Sequence, residues 1–248
     1  MKEHIDTIPV TDAFSQQDEC PFCYLERQAE QRAIRYIAGP ESSYMEPDVR
    51  AMTDKLGFCR QHYKALYDYG NSLGNALMMQ TYYVGLQKEL KLQMGSFELP
   101  AKKGLFSKKL ESLPILGWIK EKESTCFLCG RLQYNMRRYY ATFFHLLKEP
   151  EFRQSVENSK GFCFHHFGAL LEIAEEFLSN NQISWFYPTV LALMENNLAR
   201  VQADIDWFID KFDYRNASTD WKNSKDAVPR GMQKLKGGYP SDRPFKGD

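Results

Sequence analysis

The stretch GFCRQH at residues 57–62 returns as GFCFHH at residues 161–166. Each copy follows a C-x-x-C: Cys20 and Cys23 within ECPFC (19–23), then Cys126 and Cys129 within TCFLC (125–129). The two sets use all six cysteines, with 35 residues between the second and third cysteine in the first set and 33 in the second. The likeness reaches past the cysteines. EPDVR at 46–50 parallels EPEFR at 149–153, an aromatic follows each final histidine (Tyr63, Phe167), and a leucine stands four residues beyond it (Leu66, Leu170). A period of about 105 residues exceeds that of solenoid units, so the pattern predicts two homologous modules and not an array.

The residue types point to metal chemistry. A closed tetrahedral site takes four thiolate or imidazole donors converging at about 2.0–2.3 Å from one ion. C-x-x-C supplies two thiolates from a tight turn, and C-x-x-H at a helix start supplies a third thiolate and an imidazole, because residues three apart share a helix face. Each module is therefore expected to close its own Cys3His site, Cys20, Cys23, Cys59 and His62 in the first and Cys126, Cys129, Cys163 and His166 in the second. Three thiolates around a divalent ion leave about one negative charge, which suits the positive end of a helix. Gly57 and Gly161 permit the turn into that helix, and Phe58 and Phe162 are placed to shield the site from water. Two zinc ions are the first expectation for such closed sites, with iron–sulfur clusters as the alternative that spacing does not separate. A thioredoxin-like reading of CPFC wants a βαβ context that is absent and leaves Cys59 and His62 unused. His165, next to His166, is a competing ligand, His145 in YYATFFHLL reads as a core histidine and His4 as a surface one.

Bulk properties bound the rest. The 248 residues carry 32 Lys plus Arg against 32 Asp plus Glu, so no global field draws the chain toward nucleic acid or acidic lipid. The start, MKEHIDTIPVTDAF, lacks the apolar run of a secretory signal, and the uncharged stretch from Tyr69 to Gln87 contains three glycines and several amides, so it reads as a buried soluble helix and no membrane span. A cytoplasmic location follows, where thiols stay reduced.

The fold class expected is mainly α. Helix formers after the first C-x-x-C run to Gly39-Pro40, those after the second to Pro150, and two further helical patterns run from Cys59 to about Gln93 and from Cys163 to about Leu178, with Leu66, Leu73 and Leu77 along one side of the first and Gly70 and Gly74 offering a close helix approach. A last helix starting at Pro188 carries Leu191, Met194, Leu198, Val201, Ile205, Phe208 and Phe212 in steps of three and four, a seam for its own core. The organisation expected is a first module at 1–94, a linker at 95–121 with a short amphipathic piece around Leu105 to Leu113, a second module with its long helix at 122–213, and an extended or disordered tail at 214–248.

The duplicated C-P-x-C and G-F-C-x-x-H motifs, with the E-P-x-x-R element, resemble a family of uncharacterised proteins of anaerobic, mostly Gram-positive bacteria, over residues 18 to about 215. The resemblance implies a bacterial protein. Some members of that family carry the label of substrate-binding components of ABC transporters. The second copy reads CFLC where the family-like pattern has CPxC.

Three functions are in play. The first is a non-catalytic, zinc-stabilised adaptor for an unidentified protein or, through Arg137, Arg138, Tyr139, Tyr140 and the basic tail, a nucleic acid. The second is electron transfer or redox sensing through iron–sulfur centres. The third is an enzyme using groups such as Glu172, Glu175, Arg50 or Arg153. No G-x-G-x-x-G, P-loop, G-x-S-x-G or H-E-x-x-H motif is present, so no catalytic residue is assigned.

Overall fold

Prolines, glycines and the ligand cysteines themselves mark where helices start and stop. The computed structural model describes residues 6–40, 43–97 and 113–240, and among them the chain forms eleven α-helices and no strand. They are α1 (Thr7–Ser15), α2 (Pro21–Ala38), α3 (Pro47–Leu56), α4 (Arg60–Tyr69), α5 (Ser72–Gly95), α6 (Pro114–Ser124), α7 (Phe127–Leu146), α8 (Pro150–Glu157), α9 (Phe164–Phe177), α10 (Asn180–Asp210) and α11 (Ala227–Lys236). Pro47 and Pro150 each open a helix, where a missing N–H costs nothing and the fixed φ fits. The arginine of each E-P-x-x-R holds a backbone carbonyl: Arg50 donates to Leu77 at 2.6 Å and Arg153 to Leu147 at 2.6 Å. Both arginines are thus structural.

The chain divides into two compact units that cut across the expected modules. One comprises residues 6–29 and 134–240, the other residues 30–97 and 113–133. The division runs through α2 and α7, so each of these helices gives its first part to one unit and its second part to the other.

The first unit is built on phenylalanine. The Phe143 ring lies 5.2–6.5 Å from those of Phe14, Phe22, Phe144, Phe152, Phe162 and Phe186, mostly edge to face, which suits the ring quadrupole. This explains the aromatic run YYATFFHLL: Tyr139, Tyr140, Phe143 and Phe144 are buried, while His145 falls on the exposed face and is not the core histidine expected. In the second unit Ile34, Ile37, Val49, Leu66, Tyr69 and Met78 pack with Phe127 and Leu128.

Several boundaries differ from the expectation, each for a local reason. The helix after Cys59 breaks at Gly70, whose φ of +100° ends α4 in the left-handed conformation, and Asn71 restarts it by accepting from the Gly74 N–H at 2.9 Å. The break puts Leu73 69% exposed while Leu66 is buried, so the supposed stripe does not form. A Cβ on Gly70 would meet nothing within 4 Å, so this glycine serves the turn, not a helix approach. The run from Tyr69 to Gln87 is mostly surface. The last long helix begins eight residues before Pro188, at Asn180. There Gln182 accepts from both the backbone N–H and the hydroxyl of Ser179, and the helix so begun continues through Pro188. The segment assigned to a linker contains most of α6, tied to α5 where Trp118 and Lys122 both donate to Glu89 at 2.9 Å. Most of the amphipathic piece around Leu105 to Leu113 lies outside the described residues.

The tail expected to be extended contains α11, which packs against α10. Gly231 makes this possible: a Cβ there would stand 2.9 Å from Ile205 Cδ1, so the seam Val201–Ile205 is covered by this chain's own helix. The anchor is Lys234, 1% exposed, whose ammonium donates to the carbonyls of Glu19 and Lys160 and pairs with the Glu19 carboxylate at 3.3 Å. Burial pushes the Lys234 ammonium below its usual range, Glu19 opposing. Burial likewise raises Glu19, but Arg200, Lys234 and Lys160 hold its carboxyl below the ordinary value. Without the ammonium, the Glu19 and Lys160 carbonyls lose their donor, a cost of about 1–3 kcal/mol each when buried, while the Glu19 carboxylate keeps Arg200. Lys234→Met should therefore destabilise the chain by about 2–4 kcal/mol and expose the α10–α11 peptide bonds to limited proteolysis. Unchanged urea unfolding and cleavage would show that the lysine is a bystander.

Candidate metal centres

All four i, i+3 ligand pairs occupy the same local geometry. Cys59 and Cys163 are the residues before α4 and α9, extended at φ −73° and −78°, and Cys20 and Cys126 stand in the same place before α2 and α7. Each cysteine carbonyl accepts the first bond of its helix, as in Tyr63 N–H to Cys59 at 2.9 Å and Phe167 N–H to Cys163 at 2.8 Å. The sulfur takes the position that a serine or aspartate cap would hold. The His166 N–H donates to Cys163 Sγ and the Cys129 N–H to Cys126 Sγ, both at 3.4 Å. The turn expected at C-x-x-C is thus a helix start as well. Two helix N-termini point their partial positive charge at each group of thiols.

The pairs combine across the sequence, not within each copy. Cys20 and Cys23 gather with Cys163 and His166, and Cys59 and His62 gather with Cys126 and Cys129. The eight expected residues are all used, but the expected partition is corrected: each C-x-x-C meets the C-x-x-H of the other copy. Each quartet lies wholly within one compact unit. The physical reason is visible in the backbone. In the second unit Thr125 Oγ1 donates to the Leu56 carbonyl at 2.8 Å and the Phe127 N–H to the Gly57 carbonyl at 2.9 Å, bonding the start of α7 to the turn before Cys59. Gly57, at φ +57°, is packed so closely on Tyr82 that a Cβ would meet the ring at 2.8 Å. In the first unit Phe22, between the two cysteines, stacks within 5.9 Å of both Phe162 and His166. Gly161 has φ +72°, the backbone the turn requires.

Distances within the quartets are short, all ligand atoms lying within 4.8 Å of one another. In the first, His166 Nδ1 lies 3.5, 3.5 and 3.2 Å from the sulfurs of Cys20, Cys23 and Cys163, and Cys23 and Cys163 are 3.6 Å apart. In the second, His62 Nδ1 lies 3.2, 3.2 and 3.4 Å from Cys59, Cys126 and Cys129, with Cys59 and Cys129 3.8 Å apart. All six thiols are free. Each of the two quartets could hold one ion. Their electrostatics agree. Burial opposes a charge on His62, yet Cys126 and Glu30 raise its imidazole to about 10, and against the same burial His62 brings the Cys126 thiol down to about 6. Burial and Cys126 push the neighbouring Cys129 up to about 12. Hydrogen bonds from Cys20 and Cys23 hold Cys163 far below the ordinary thiol range, and the bond to Cys163 drives Cys23 up. A single anionic sulfur thus takes the field of each group, which a divalent cation would extend to three.

Two residues of the site were not anticipated. The Nε2 of His62 faces the Glu30 carboxylate at 3.2 Å, and the Nε2 of His166 faces Glu26 at 3.6 Å. Each carboxylate fixes Nδ1 as the nitrogen aimed at the sulfurs. Glu26 and Glu30 are four apart on α2, a spacing readable in YLERQAEQRA but without meaning until the histidines are placed. The ambiguity between neighbouring histidines is resolved geometrically, since His166 is 1% exposed among the cysteines while His165 is exposed.

A model for a family of unknown function (DUF6062) matches residues 1–242. The chain belongs to this family. No curated protein and no solved structure matches it. No helix among the described residues is long and apolar enough to cross a membrane.

The other expected surfaces are accounted for structurally. Arg137 pairs with Glu176 at 3.0 Å and Arg138 with Asp6 at 2.9 Å, while Tyr139 and Tyr140 are buried, so the four do not form a cationic–aromatic patch. Glu172 and Glu175 are exposed on α9.

Outer carboxylates of this kind typically account for about 10–100-fold in metal affinity. Glu30→Gln should weaken binding at the second quartet by that factor and Glu26→Gln at the first, in competition titrations with a chromophoric chelator. His165→Ala should keep two equivalents of metal and His166→Ala one. Equal losses from the two histidine variants would contradict the geometry.

Proposed function

We propose that the chain is a non-catalytic helical binding module held in shape by two zinc ions. The observation that carries this reading is the edge length of the quartets. A tetrahedron with Zn–S near 2.3 Å and Zn–N near 2.0 Å has edges of about 3.8 Å between sulfurs and about 3.5 Å between sulfur and nitrogen. One sulfur pair in the first quartet stands 3.6 Å apart and one in the second 3.8 Å, the sulfur–nitrogen edges measure 3.2–3.5 Å, and all ligand atoms of a quartet lie within 4.8 Å of one another. Four donors at these separations suit a single ion. A [4Fe–4S] cluster would place each donor on a different iron and a [2Fe–2S] cluster two on each, in both cases spreading the donors over more than one metal, which favours zinc over the iron–sulfur alternative.

Both quartets fill four coordination positions from the protein, leaving none for the water or substrate that zinc catalysis requires. The residues considered for an enzyme are occupied in structure or exposed. A binding role has a candidate face in the second unit, a recess of about 470 Å³ whose lining includes Phe58, Tyr63, Tyr67, Met78, Tyr82 and Tyr83. None of the described side chains lining it is charged, so it suits a neutral, apolar or aromatic group of a partner. Phe58 and Tyr63 each neighbour a metal ligand in sequence, which makes the shape of this face depend on the ion.

Elemental analysis of the purified chain should find two zinc per chain and no iron. Because structural zinc supplies about 10–16 kcal/mol to small metal-held folds, removing it with a strong chelator should abolish cooperative melting and much of the helical circular dichroism. Affinity should fall with falling pH, since protons compete for the thiolates. Iron in stoichiometric amount, or a chelated chain that melts unchanged, overturns the reading. Tyr83→Glu, at a 57% exposed position on the rim, should leave zinc content and melting unaltered while releasing any partner that the native chain retains.

A further inference from the structure

The two quartets are alike in donors and unlike in access. In the first, Cys20, Cys23, Cys163 and His166 are 0, 4, 0 and 1% exposed. The C-terminal segment seals it: a Cβ on Gly237, just past α11, would stand 3.5 Å from Cys163 Sγ and 3.7 Å from Cys23 Sγ, so the backbone lies directly over the sulfurs. In the second, His62 and Cys126 are buried, but Cys59 and Cys129 are both partly open to solvent. The open pair contains one sulfur from each ligand pair, and these two sulfurs are neighbours at 3.8 Å. Backbone N–H groups, which damp the nucleophilicity of a thiolate, are directed at the buried sulfur: those of Cys129 and Cys59 point at Cys126.

We propose that Cys59 and Cys129 are sites of oxidative modification by hydrogen peroxide, and that their oxidation releases the ion of the second centre while the first keeps its own. This inference rests on the zinc reading above. The Cys59 thiolate attacks one peroxide oxygen, the O–O bond breaks, and the departing hydroxide takes a proton from solvent, leaving a sulfenic acid on Cys59. The Cys129 thiolate then attacks that sulfur, forming the S–S bond and expelling a second hydroxide, which also takes a solvent proton. Two sulfurs are oxidised by one electron each and one peroxide becomes two waters. With two of its four donors consumed, the centre retains only Cys126 and His62 and its ion leaves. The first centre resists because no peroxide reaches its sulfurs past Gly237. The response is local by construction. It disengages α4 from α7 within the second unit, whose turn at Gly57 and Phe58 borders the recess, so oxidation is coupled to the binding face.

The test uses the full, zinc-loaded chain. Metal content is measured first, then hydrogen peroxide is added with a chromophoric zinc chelator present, followed by peptide mapping of disulfides. One equivalent of zinc should be released, with a Cys59–Cys129 disulfide, and a reductant with added zinc should restore two equivalents. Independently, brief alkylation of the native chain should modify Cys59 and Cys129 at least about tenfold faster than Cys20, Cys23 and Cys163, because reactivity follows thiolate character and exposure. A truncation after Gly231 that removes the segment over the first centre should make both ions releasable. Should that variant not fold, the alkylation and mapping of the native chain decide alone. Simultaneous loss of both ions from the native chain, no loss, or a disulfide between other cysteines overturns this inference while leaving the zinc reading intact. Metal-free protein at the outset overturns both.

Discussion

In each quartet the ligand atoms of three cysteines and a histidine lie within 4.8 Å of one another, an arrangement that would be costly with the sulfurs as thiolates unless a cation joined them. That constraint organises the chain. Every ligand pair occupies the first turn of a helix, where backbone N–H groups and the helix dipole already favour negative charge. The helices α2, α4, α7 and α9 are consequently fixed at their starts, and their remaining faces dictate what packs: phenylalanines around Phe143 in one unit, aliphatic side chains around Ile34 and Leu66 in the other. The core is thus arranged around the ligand turns, and a change of ligand would be felt as a loss of helix orientation more than as a loss of burial.

The two centres share a chemistry but divide their outer support unevenly. Both carboxylates that orient a histidine come from α2, at Glu26 and Glu30. Counted from its C-x-x-C, α7 carries Leu132 and Met136 at the corresponding positions, so it contributes thiolates without a carboxylate. The first centre gains a further enclosure from Glu19, Lys234 and the C-terminal helix. Likeness in motif therefore does not imply likeness in behaviour, and the differences lie in residues outside the repeated words.

Much of this was legible in the amino-acid order. The helical class, the eight cysteines and histidines that gather and the need for glycine at 57 and 161 follow from local rules of spacing and φ, whereas Pro150, read as the end of one helix, also opens the next. The partition of donors did not. Gaps of 35 and 33 residues are equally compatible with pairing inside a copy or across copies, and the choice is made by contacts such as Thr125 with Leu56 and Phe22 with Phe162 that no local pattern encodes. A long helix directly after a C-x-x-C also carries the chain away from it, which argues against the next C-x-x-H in sequence being the one at hand. The tail misled for a different reason: its polarity suggests solvent, yet Lys234, Arg230 and Gln233 are buried because Glu19, Asp204 and Asp18 wait for them.

The crossed pairing also sets a timetable for the chain's birth. A polypeptide emerging from the ribosome presents Cys20, Cys23, Cys59 and His62 long before any of their true mates exist. The earliest centre to be completed is the one that needs Cys129, and the other waits for His166, with its cover arriving only when Gly237 does. Until then the nascent thiols are half-built chelates that could seize an ion in the wrong combination. Correct assembly must therefore be decided after synthesis of the second half, by helix packing choosing among four interchangeable-looking donor pairs.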